Sequence, residues 1–85
     1  MPPHSQVSAS MRAYLFTVAL FDADEIAHNG KGEAVYLVQS APLQRGRKIS
    51  AVVVDPGEGD PQVQAFTDKR EAREAWLSLV TKGKG

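Results

Sequence analysis

An 85-residue chain has room for one small core and little for a second. Its 42% hydrophobic and 24% charged content is that of ordinary globular material, and ten basic side chains cancel ten acidic ones, so no overall charge draws it toward nucleic acid or anionic lipid. The absence of cysteine excludes disulfides, thiol catalysis and thiolate metal sites, and no apolar run approaches the roughly 18 residues of a membrane helix.

Residues 1–11 lack both the basic start and the apolar centre of a secretory signal; they read as a disordered leader, with Met11 as an alternative start. That pattern and the missing cysteine fit the cytoplasm. Ala13 to Phe21 is rich in aromatic and β-branched residues and reads as a first strand bounded by Asp22. The acidic stretch after it either continues that strand toward His28 or bulges as a loop. Asn29-Gly30 is the strongest short hairpin signal in the chain. Glu33 to Ser40 reads as a second strand, and Pro42 and Gly46 punctuate a loop before a third, Lys48 to Val54. Asp55 to Pro61 holds two prolines and two glycines in seven residues and is a turn, with a short fourth strand over 62–66.

The end of the chain is helical. Ala72, Ala75, Trp76, Leu79 and Val80 make one apolar stripe at helical period. Asp68 followed by Glu71 has the form of a capping box, with Thr67 as the alternative cap, and Lys82 and Gly83 suit the helix end. Short connections favour antiparallel neighbours, so the expected fold is α+β: a four-stranded antiparallel meander with one C-terminal helix on one face, ββββα. One domain over 12–82 and a flexible tail over 83–85 complete the organisation.

The strands do not alternate cleanly between apolar and polar residues. Val35 and Leu37 oppose Tyr36 and Val38, and Ile49, Ala51 and Val53 oppose Val52 and Val54, so both sheet faces are apolar. One helix covers one face. The second is expected to be closed by another copy of the chain, a different protein or the curl of the sheet itself. Tyr14, Phe16, Phe21 and Tyr36 are the aromatic candidates for that contact.

In a meander the acidic segments around Asp22, Asp24 and Glu25 and around Asp55, Glu58 and Asp60 fall at one end. The basic residues Arg45, Arg47, Lys48, Lys69, Arg70 and Arg73 fall at the other, with Arg12. The basic end suits phosphate, through the planar fork of arginine and the free N–H groups of a helix start. The sequence Phe66-Thr-x-x-x-Glu71-Ala-x-x-x-Trp76 resembles the strand-to-helix junction of the arm-binding domains of phage-type integrases, which implies DNA contact; the strands here depart from those modules in lacking a basic, aromatic outer face. The acidic segments lack the spacing of a calcium loop, so no metal or cofactor is expected. No nucleophile elbow, HExxH or glycine-rich phosphate loop occurs, and the imidazoles are His4 and His28 alone. The expectation is a non-enzymatic protein-binding or assembly module, forming a homodimer or joining another protein, with nucleic-acid or phosphate binding at the basic end as the alternative.

Overall fold

A computed structural model describes residues 7–82. The elements are α1 (Ala9–Asp22), β1 (Glu25–His28), β2 (Ala34–Pro42), β3 (Lys48–Asp55), β4 (Gln62–Phe66) and α2 (Lys69–Lys82). The strands form one antiparallel sheet in the order β1-β2-β3-β4, the expected meander, and α2 lies on one face as expected.

One element differs. Ala13–Phe21 is helix, not strand, and the missing strand is supplied by Glu25–His28 from the acidic stretch. Ser8 caps the helix, its Oγ accepting the Met11 N–H at 3.1 Å. The first turn of α1 thus lies inside the segment expected as a leader; the rest of that segment, residues 1–6, and the tail 83–85 lie outside the described residues. The apolar run misled because the helix is apolar on its outer side too, which erases the 3.6-residue period. A helical run of 14 residues is also longer than a typical strand of about 4–8.

The two-sided apolar pattern of the sheet is resolved by this helix. Leu15 and Ala19 of α1, both fully buried, pack on Val38, Ala41, Ala51, Val53 and Val63, with Tyr36, Ile49 and Ala65 partly buried around them. On the other face Ala72 and Trp76 of α2 pack on Val35, Leu37 and Val52, joined by Phe66 and Leu79. The helix-free face expected as the assembly surface is therefore closed by the chain's own N-terminal helix.

Trp76 fixes α2 in place. It is only 7% exposed, and its Nε1–H donates to the Val35 carbonyl at 3.0 Å, so the largest ring in the core has its polar edge satisfied. Asp68 starts the helix: its Oδ1 accepts the Arg70 N–H at 2.9 Å.

Candidate interaction surface

The outer side of α1 is set by the inner one. With Leu15 and Ala19 directed at the sheet, a turn of 100° per residue sends Ser10, Ala13, Tyr14, Thr17, Leu20 and Phe21 to the opposite side, and all six are exposed. None carries a charge. The charges within α1 are Arg12, half-buried, and Asp22, and neither falls on that stripe. Phe21 is 84% exposed and Leu20 49%. Thr17 turns its hydroxyl back to the Ala13 carbonyl at 2.9 Å, so even the polar side chain at the middle of the stripe is occupied within the helix.

The exposed surface of α2 is of a different kind. Its first turns expose Lys69, Arg70, Glu71, Arg73 and Glu74, as on an ordinary solvated helix, and Leu77, 41% exposed, follows with Ser78 and Thr81. The molecule thus has one helix with exposed charges over its first turns and one with an uncharged outer side, separated by the sheet.

The apolar side continues into β1. Chain continuity through Ala23 and Asp24 carries Phe21 to the edge strand, where Ile26 is 59% exposed. Ile26 pairs with Tyr36, which belongs to the α1 layer, so its side chain lies on that face beyond the cover of α1. The Asn29 N–H donates to the Glu33 carbonyl at 3.1 Å. By the alternation of an antiparallel ladder, Ala27 and Glu25 also direct their peptide groups to β2, and those of Ile26 and His28 face outward as an unpaired edge.

Of the aromatic candidates read from the sequence, Tyr14 and Phe21 share this outer surface. Tyr14 is half-exposed, and its hydroxyl donates to the Pro42 carbonyl, tying α1 to the end of β2. Phe16 and Tyr36 are partly buried against the α1 core and serve the fold. Leu20 and Ile26 were not among the candidates. Their signal is visible only once α1 is a helix, because helical geometry, not strand alternation, groups Leu20 with Phe21 and Tyr14.

The basic candidates are distributed differently from expectation. Arg45, Arg47 and Lys48 surround the exposed turn between β2 and β3, where Arg45 (φ 62) and Gly46 (φ 73) adopt the left-handed conformation. Lys69, Arg70 and Arg73 lie in the first turns of α2. Because β1 starts at Glu25, opposite Leu37, the acidic segment of Asp22, Asp24 and Glu25 lies toward this same end of the sheet, while Asp55, Glu58 and Asp60 of the β3–β4 turn lie at the far end, as expected. Arg73 Nη1 lies 3.8 Å from Glu25 Oε2, and Asp24 Oδ2 accepts the Gln39 N–H at 2.7 Å beside the β2 bulge. The bipolar layout inferred from the sequence holds for the β3–β4 turn but not for the first acidic segment, which meets basic residues at the start of α2.

An open groove runs where the first turns of α1 meet the β2–β3 turn, lined by Ser8, Met11, Tyr14, Leu43 and Arg47 among others. Among the described residues no group of three or more His, Cys, Asp or Glu side chains could hold a metal ion. His28 is exposed at the end of β1 and His4 lies outside the described residues. No helix among the described residues is long and apolar enough to cross a membrane.

Set against protein-family models, curated proteins and solved structures, the chain finds no match. The surface has to be read from its own chemistry.

Proposed function

We propose that this chain is a small non-enzymatic protein-binding and assembly module that forms a dimer through the outer face of α1, extended by Ile26 of the β1 edge. The observation that carries the reading is the uncharged stripe itself, with Tyr14, Leu20 and Phe21 exposed on it. A helix that is apolar all round is normally a buried helix, and only one side of α1 is buried by the sheet. Water-exposed apolar area collected in one place, and not scattered, marks a contact surface. A second copy meets it without leaving a charge unpaired, since neither partner brings one to the stripe. The same reading keeps the cytoplasmic setting expected from the sequence.

Sedimentation equilibrium over a range of concentration and salt tests it. A dimer whose dissociation is insensitive to salt supports the reading, because apolar contacts are not screened. A monomer at every concentration rejects it.

Phosphate or nucleic-acid binding is the second reading. It is favoured by Arg45, Arg47 and Lys48 on an exposed turn, where they take no part in an ion pair among the described residues. Against it stand Asp24 and Glu25 beside the α2 cations. Fluorescence anisotropy with a labelled oligonucleotide separates the two readings: binding that weakens steeply with salt and is lost in Arg45→Glu/Arg47→Glu would establish the second.

A further inference from the structure

The β1–β2 connection is a hairpin at the expected Asn29-Gly30, with a loop longer than two residues. Gly32 N–H donates to the Asn29 carbonyl at 3.0 Å and Gly32 has φ +81, so the loop is Gly30-Lys31-Gly32, a turn followed by a left-handed glycine. Its centre is the Asn29 side chain. Oδ1 accepts the N–H groups of Lys31 at 2.9 Å and Glu33 at 3.0 Å, and Nδ2 donates to Glu33 Oε1 at 2.8 Å.

β1 depends on this arrangement. Three of its four residues are exposed, the half-buried Ala27 being the exception. Polar clasps hold it at both ends: Asp24 on the Gln39 N–H, and Asn29 on Glu33. The strand is therefore fastened by hydrogen bonds more than by apolar burial.

Asn29 is followed by Gly30, whose missing side chain leaves its amide nitrogen free to approach the asparagine carboxamide. We propose that Asn29-Gly30 is a site of spontaneous deamidation, restrained by the Glu33 clasp, that acts as a slow one-way release of β1. In the reaction the Gly30 nitrogen bonds to Asn29 Cγ, the Cγ–Nδ2 bond breaks, and ammonia leaves with a proton from that nitrogen. Water then opens the cyclic imide at either carbonyl, giving aspartate or isoaspartate at position 29. No oxidant or reductant takes part.

Either product undoes the clasp. Aspartate replaces the donor that faced Glu33 by a second carboxylate oxygen at the same place, and like charges in contact repel. Isoaspartate moves the chain onto the side-chain carbon and displaces the carbonyl that accepts the Gly32 N–H. With β1 loosened, the edge of β2 loses its partner and stands open to another strand.

The test incubates the full chain in mildly alkaline buffer at physiological temperature and follows deamidation at position 29 by peptide mass and isoaspartate content. Glu33→Ala is expected to react roughly five-fold faster, the factor for losing one ordinary hydrogen bond. Glu33→Gln retains an acceptor and is expected to react at the parent rate, while Gly30→Ala reacts more slowly. Hydrogen exchange on the modified fraction is expected to show loss of protection across Glu25–His28 with α2 unaffected. Asn29→Asp should reproduce that loss, and Asn29→Asp/Glu33→Gln should restore protection by returning a donor to the pair. Equal rates in Glu33→Ala and the parent, or full β1 protection in the modified fraction, would overturn the proposal.

Discussion

Trp76 shows how much one side chain carries here. It fills the α2 layer and its indole N–H satisfies the Val35 carbonyl across 41 positions of sequence. Trp76→Ala is expected to cost about 3–5 kcal/mol, a large share of the roughly 5–15 kcal/mol a small domain has in total. Trp76→Phe keeps most of the volume and loses the donor, at a cost of about 1 kcal/mol. Urea unfolding of both variants checks the ranking; equal losses would mean that the hydrogen bond, not the ring, dominates. Asp68→Ala removes the α2 cap and is expected to cost about 0.5–2 kcal/mol. The roles of Trp76 and Asp68 are legible in the sequence, because a capped stripe at helical period leaves few alternatives. The bond from Trp76 to Val35 is not, since nothing local specifies which carbonyl the indole reaches.

At the level of elements, α1 separates a strand reading from a helix reading. Thr17→Pro in a helix interior is expected to cost about 3 kcal/mol or more and to lower helical circular dichroism by the share of α1, while Leu15→Ala opens a cavity worth about 2–5 kcal/mol. Four-stranded meander order, the extent of β4 and the position of α2 all followed from turn residues and periodicity. The alternation of Val35 and Leu37 against Tyr36 and Val38 also foretold burial on both faces. What covers the second face was not foretold. Ala13–Phe21 favours strand by residue type, and its helical period is hidden because Leu20 and Phe21 face outward with as much apolar area as Leu15 and Ala19 turn inward. Tertiary packing onto the sheet, together with the Ser8 cap, overrides local preference. Moving that one element also moved the first acidic segment toward the start of α2, which is why the charge layout inferred from sequence failed there while the strand order survived.

On the scale of the whole molecule, α1 and α2 sandwich the sheet and present different surfaces to solvent, one uncharged and one charged over its first turns. Interfaces draw most of their energy from large rings and aliphatic anchors at their centre, and the exposed Leu20 and Phe21 would supply those anchors to the dimer proposed above. The decisive comparison is the solution mass, by size exclusion with light scattering, of the parent and of Leu20→Lys/Phe21→Lys. Both positions are exposed, so the substitutions leave the core intact and circular dichroism should be unchanged. The account predicts a dimer for the parent at low and high salt and a monomer for the variant. A parent that is monomeric throughout, or a variant that keeps the dimer mass, would contradict it.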